Sequence, residues 1–333
     1  MMKHIVRLLI LTLPFLFALI GCNSNTPTTE MSNDDMLKVL DVKINKHPQD
    51  AELLYERAKI YLELNRVNDA IADLSRATSI NNKEYKYFML LGDAYFANGD
   101  VEHSYSSLQR ALELKPESAE AFLKLGEIAY YSRDYDRAME HLSKVTAKDP
   151  NNRTALFMKG FIYKETGDTS NAILLLRKVC DLYPDYEPAF EELGVLYSVH
   201  HNPMAVEYLN AAHQLEPTNT NALYALAMYY QEGNKIDQAE DIYKRILDID
   251  DQHKLAWHNR GYIQLFTYGD YPLAIEYLTR AIQTDSTFIE AWANRACAYE
   301  LNGNKEQARH DFQHALELDH TFQPAIDGLA RIH

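Results

Sequence analysis

The chain has 333 residues, 47% of them hydrophobic, so a large core can be buried and global disorder is excluded. A formal net charge of −15, with no basic stripe, opposes binding to nucleic acid or anionic lipid. Only 12 glycines and 11 prolines over this length predict helices joined by short turns.

Residues 1–21 carry Lys3 and Arg7 and no acid, then run apolar from Leu8 to Ile20 with only Thr12 and Pro14 interrupting. That run is shorter than the roughly 20 residues a bilayer span needs and suits a secretory signal. The stretch Leu19-Ile20-Gly21-Cys22 resembles the lipobox of bacterial lipoproteins. The resemblance implies cleavage before Cys22 and lipidation of its sulfur. Each buried methylene contributes about 0.8 kcal/mol, so two or three acyl chains would anchor the protein durably. Cleavage would take the net charge from −15 to −17. No acidic run follows Cys22, so the expected location is the bacterial outer membrane, lipid-anchored and facing the periplasm. Residues 23–33, NSNTPTTEMSN, read as a flexible tether with coil dimensions of about 18 Å.

Residues 34–50 are predicted to form a capping helix, with Ser32 or Asn33 as N-cap. From Ala51 onward the sequence repeats with a period of 34 residues. Eight repeats span 51–84, 85–118, 119–152, 153–186, 187–219, 220–253, 254–288 and 289–322; the fifth is one residue short and the seventh one long. Position 8 of the repeat is always small: Ala58, Gly92, Gly126, Gly160, Gly194, Ala227, Gly261 and Ala296. Position 20 is small as well, from Ala70 and Ser104 to Ala308, while positions 4 and 24 hold Leu, Phe, Tyr or Trp. Apolar residues recur three and four apart, as one helix face requires. Pairs such as Gly99-Asp100 and Gly167-Asp168 break each repeat into helix A and helix B.

These columns resemble the tetratricopeptide repeat. The resemblance implies an all-α fold, a right-handed α-solenoid of eight helix pairs with a short helix at each end. Small residues at positions 8 and 20 let helices approach to about 8 Å. A lone pair lacks a sufficient core, whereas stacked neighbours supply a second buried face. Residues 323–333 read as a ninth helix A whose Ile326, Leu329 and Ala330 cover the last repeat.

Chemistry is sparse in this pattern. Cys180 and Cys297 lie four repeats apart, beyond disulfide reach, and read as packing thiols. His310 and His314 share a helix face but lack a third ligand, so no metal site is assigned. Trp292 reads as a packing residue of the eighth repeat. No phosphate loop, paired-acid arrangement or nucleophile elbow stands out, so neither catalytic residues nor a cofactor are expected.

Function is expected on a second stripe of helix A, at positions 2, 5, 9, 12 and 13. In the tetratricopeptide family this stripe lines a concave groove that receives peptides. Here it holds Tyr130, Tyr131, Phe157, Phe161, Val195, Val199, Tyr224, Met228, Tyr262, Leu265 and Phe266. Glu120, Glu127, Glu165, Glu191 and Glu232 border it, and Lys164 and His258 are its main basic members. Lys59, Lys86 and Lys124 do not reproduce the family's carboxylate clamp. The expected partner is therefore an apolar or basic segment of an envelope protein, captured by a membrane-anchored, non-enzymatic adaptor. Two alternatives stand beside this reading. One is a self-associating scaffold; the other is an envelope enzyme with its site in the irregular fifth or seventh repeat, near His200-His201 or in LFTYGDYP.

Overall fold

The protein is described here by a computed structural model that covers residues 31–332. The signal-like segment and Cys22 lie outside the described residues. Every regular element among the described residues is helical. They form two compact bodies, divided between Asn82 and Lys83.

The first body holds α1 (Asn33–Lys46), α2 (Ala51–Glu63) and α3 (Val67–Ile80). Ser32 caps α1 by accepting from the Asp35 amide, and Asp50 caps α2 by accepting from Glu52 and Leu53. Each cap satisfies amides that have no partner inside the helix. Leu37 and Ile44 sink the apolar face of α1. Between α2 and α3, Arg57 holds Asp73 through two hydrogen bonds of 2.7 Å and reaches Asp41 at 2.6 Å.

The second body contains seven helix pairs and a closing helix. The pairs are α4 (Tyr85–Ala97) with α5 (Val101–Leu114), α6 (Ala119–Tyr131) with α7 (Tyr135–Lys148), and α8 (Arg153–Glu165) with α9 (Thr169–Leu182). Next come α10 (Glu187–Val199) with α11 (Met204–Leu215), and α12 (Asn221–Glu232) with α13 (Ile236–Ile249). The last pairs are α14 (Lys254–Ile263) with α15 (Tyr271–Thr284), and α16 (Ile289–Leu301) with α17 (Lys305–Leu318); α18 (Gln323–Arg331) follows.

In the second and fourth repeats the turn inside the pair follows from two residue types; Arg133, His201 and Asn234 take the left-handed position in the third, fifth and sixth. Gly99 and Gly167 sit at φ 77° and 83°, a left-handed conformation that costs glycine nothing. The next residue, Asp100 or Asp168, then caps helix B by accepting from the amide three positions on. Its own amide reaches back five residues, Asp100 to the Tyr95 carbonyl at 2.9 Å. The seventh repeat differs. Asp270 donates to Gln264, six residues back, and Gln264–Tyr268 forms a π-helical turn that absorbs the extra residue.

Packing inside each pair explains the small-residue columns. A Cβ added to Gly92, Gly194 or Gly261 would lie 2.7, 2.7 or 2.6 Å from the leucine at position 24 of the same repeat. Where position 8 is Ala227 or Ala296, the residue at position 24 is Tyr243 or Phe312, and all four are fully buried. The two columns are therefore one contact, seen from both sides.

The closing helix corrects one expectation. Ile326 and Ala330 are exposed; Ala325, Gly328 and Ile332 are the buried residues. The added Cβ of Gly328 would collide with the Phe312 ring at 2.2 Å. Position 3, occupied by Ala325, is buried in every repeat of this body and faces the preceding helix B from the third repeat onward. Positions 4 and 8 instead face a repeat's own helix B, and no such helix follows α18 among the described residues.

Candidate protein-interaction surface

The A helices of the second body use their residues on two sides. Positions 3, 7 and 8 enter the wall, while the stripe at 2, 5, 9, 12 and 13 stays at least partly open across most repeats. Tyr131, Val199, Tyr262 and Phe266 are exposed at 55%, 65%, 41% and 53%. Tyr130, Phe161, Val195, Tyr224 and Met228 are half-buried.

Phe157 and Leu265 depart from expectation: both are buried. Phe157 is closed over by Tyr186, whose ring meets it edge-on at 5.3 Å. Leu265 sits in the π-helical turn, which widens the helix and draws that side chain and Gln264 inward. The same turn leaves Phe266 outside, against Tyr262, with ring centroids 4.6 Å apart.

An aromatic chain joins the third and fourth repeats. Tyr130 meets Phe161 edge-on at 5.7 Å, Phe161 lies 6.1 Å from Phe157, and Phe157 leads to Tyr186. Such contacts fix ring orientation beyond what burial alone does.

The basic members of the stripe are occupied internally. Lys164 Nζ sits 4.1 Å above the Phe161 ring and 2.5 Å from Glu192 Oε2. Burial raises the Glu192 carboxyl, and the Lys164 ammonium counters it. Lys124 is paired with Asp93 at 2.7 Å. Burial holds the His258 imidazole below its ordinary pKa. With its proton on Nδ1, that neutral ring donates to Asn259 Oδ1 (3.2 Å) and accepts from Asn294 Nδ2 at Nε2 (2.9 Å). Glu120, Glu165, Glu232 and Glu290 remain exposed. The free charge along the stripe is acidic.

Two polar arrangements were not anticipated from the sequence. Asn219 Nδ2 donates to Glu187 Oε1 (3.2 Å) and to Glu191 Oε2 (2.9 Å), bridging two carboxyl groups. Burial first, and the Glu191 charge second, push the Glu187 carboxyl up to about 7. The other is centred on buried Asn259, which donates to Tyr243 Oη (2.8 Å) and Tyr224 Oη (3.2 Å), while Tyr243 donates to Gln231 Oε1 (2.8 Å). Its signal was an asparagine among apolar helix neighbours, which must find partners when buried.

The remaining reactive side chains are tied into packing. Burial pushes the Cys180 thiol up to about 12 and raises Cys297, so neither is an activated thiolate. The His314 ring lies tilted with its centroid 4.2 Å from that of Trp292 and contacts Glu317 at 2.8 Å, while His310 contacts Asp311. Among the described residues no three His, Cys, Asp or Glu side chains gather as metal ligands. His201 occupies a left-handed turn position at φ 50°, beside exposed His200. Among the described residues, no helix is long and apolar enough to cross a membrane.

Stacked helix pairs with an open aromatic stripe define, by class, a protein-interaction α-solenoid. The chain carries tetratricopeptide repeats: models of that repeat match residues 51–84, 204–259 and 289–322. Residues 81–190 match the cytochrome c-type biogenesis protein H TPR domain. Superkiller protein 3 of Schizosaccharomyces pombe is 28% identical over 144 residues, 41% of this chain. This chain spans only 10% of that curated relative. The C-terminal part of a TPR repeat-containing protein from Cytophaga hutchinsonii superposes with a TM-score of 0.60 at 21% identity, covering 74% of this chain and 99% of that one. A tetratricopeptide repeat protein from Parabacteroides merdae gives 0.55 at 17% identity, covering 74% and 98%.

Proposed function

We propose that this protein is a non-enzymatic adaptor of the bacterial cell envelope, tethered by lipid on Cys22 at the outer membrane and facing the periplasm. Its A-helix stripe captures an apolar, basic segment of another envelope protein. The carrying observation is the row of exposed apolar side chains at Tyr131, Val199, Tyr262 and Phe266, flanked by free acids while Lys124, Lys164 and His258 are occupied. Apolar exposure that recurs along one stripe favours a contact role, and the acids between select a cationic partner. The similarity of residues 81–190 to a cytochrome c-type biogenesis protein domain supports an envelope setting.

Two measurements test this reading. Metabolic labelling with an alkyne fatty acid should mark the wild type and not Cys22→Ser; equal labelling would overturn the anchor. A photo-crosslinking residue placed at Tyr262 should trap a defined partner in intact cells. The same residue at Leu174, even more open to solvent on helix α9, should not. Equal trapping at both positions would remove the stripe as the contact surface.

A further inference from the structure

The 34-residue phase continues on both sides of the eight repeats. Counted back from Ala51, α1 (Asn33–Lys46) occupies positions 17–30, as helix B α3 (Val67–Ile80) does in the first repeat. Counted on from Gln323, α18 occupies positions 1–9, the start of a helix A. Among the described residues, α1 is a helix B without its helix A, and α18 is a helix A without its helix B.

Each helix leaves open the face its counterpart would cover. On α18, Ile326 and Ala330 are exposed and Leu329 is half-buried, at positions 4, 8 and 7. On α1, Leu37 and Ile44 are buried, while Val39 and Val42 stand 43% and 55% exposed and Leu40 is half-buried. Those last three hold positions 23, 26 and 24. Residues 23–29 fall at positions 7–13 in this phase and contain no large apolar side chain to cover them.

The internal repeats show which of these positions meet. Position 4 packs on 23 and 26: the Phe122 ring lies 6.1 Å from His141, with Lys144 Nζ 5.3 Å above it. Position 8 packs on 24, as Gly92 does on Leu108. Joined in that register, Ile326 meets Val39 and Val42, and Ala330 meets Leu40, the same combination as buried Ala58 and Leu74. Leu329 and Val39 then repeat the apolar choice of Leu226 and Ile242 at positions 7 and 23. Where Lys144 covers an aromatic ring, both partners here are aliphatic, so no charge is buried. The contact continues the A–B interface that the chain makes in every repeat.

We propose that α18 of one copy receives α1 of a second copy, the two completing one repeat between them. This inference rests on neither the lipid anchor nor the A-helix stripe. Such a contact is head-to-tail, so it propagates beyond two copies. It is weaker than an internal pair, because Met36 stands at position 20, small in every repeat, and each copy carries a net charge of −15.

Cysteine pairing between copies tests it. Positions 8 and 20 lie close in an internal pair: a Cβ on Gly126 would stand 3.6 Å from the Ala138 carbonyl oxygen, within disulfide range for cysteines at those positions. Two differently tagged full-length chains, Met36→Cys and Ala330→Cys, are expressed in the same cells and treated with diamide as oxidant. A non-reducing gel should show a dimer carrying both tags. Replacing the second chain by Leu174→Cys, exposed on α9, should lower the yield at least tenfold. Adding Val42→Asp to the first chain should lower it at least fivefold, with helix content unchanged by circular dichroism. A chain carrying both cysteines should form a ladder beyond the dimer. Equal yield with Leu174→Cys, absence of the mixed dimer, or capture of Ala330→Cys by a different protein alone would overturn the proposal. Trapping at Tyr262 should be the same in Val42→Asp and wild type, so the adaptor reading and this one fail separately.

Discussion

Arg295 grips Asp311 with two hydrogen bonds, Nε to Oδ2 at 2.7 Å and Nη2 to Oδ1 at 3.0 Å, and the carboxylate is almost wholly buried. The pair joins position 7 of helix A to position 23 of helix B in the eighth repeat. Arg57 and Asp73 join the same positions in the first repeat. Arg295 also covers the Trp292 ring at 4.8 Å, so the Trp-Arg-Cys cluster of this helix is a packing unit.

Removing one partner of such a pair leaves a buried charge, which typically costs about 3–5 kcal/mol. Asp311→Ala should therefore destabilise the eighth repeat by about 3 kcal/mol, read as faster hydrogen exchange in α16 and α17. Leu226 and Ile242 occupy these two positions in the sixth repeat. The double variant Arg295→Leu/Asp311→Ile should accordingly regain most of the loss. Equal protection in Asp311→Ala and wild type would show that the pair contributes nothing.

The glycines of position 8 differ in the room they have. A Cβ at Gly160 would meet Leu176 at 3.2 Å, whereas one at Gly261 would meet Leu278 at 2.6 Å. Alanine gains about 0.8–1.0 kcal/mol of helix propensity over glycine, and overpacking costs about 1–3 kcal/mol. Gly160→Ala should be neutral or slightly stabilising, while Gly261→Ala should lose about 1–2 kcal/mol in urea denaturation. The opposite order would overturn the packing account.

Stability should carry a pH signature from the Glu187–Glu191 pair. The Glu187 carboxyl stands at about 7 in the folded chain, above its ordinary 4.5, so the folded state holds the proton more tightly. Stability from this group is full below about 4.5 and falls as pH rises through 7. Glu187→Gln should match wild type near pH 4.5 and exceed it at pH 8 by about 1 kcal/mol, after solvent screening of a half-buried pair. A stability difference independent of pH would exclude the raised Glu187 carboxyl.

The π-helical turn invites a deletion. Removing Thr267 restores 34 residues to the seventh repeat, and the Asp270 amide then closes over five residues as elsewhere. Stability should be unchanged within about 1 kcal/mol, because π-turns are retained for function more than for stability. Leu265 should become accessible and Phe266 should lose its contact with Tyr262, weakening partner capture. Undiminished capture would separate the turn from binding.

The helix pairs were legible because their contacts close within one repeat, so each small or large side chain recurs at a fixed interval. Turn chemistry was legible where a Gly-Asp pair dictates its own backbone, and not where Arg133, His201 or Asn234 takes the left-handed position. The stripe was only partly so. Which side chains could reach it follows from helix geometry, but which of them do depends on neighbours far along the chain. Tyr186 closes over Phe157, and Glu192 holds Lys164.

By itself, then, the sequence determined that this chain is built of paired helices, where each turn falls, and which helix face is free. Periodic local contact decides all three. Only the tertiary structure decided which aromatic rings stay open, how the extra residue of the seventh repeat is absorbed, and that the stripe's cations are already engaged. Those outcomes rest on contacts that do not recur from repeat to repeat, where one side chain's exposure is set by another's volume and charge.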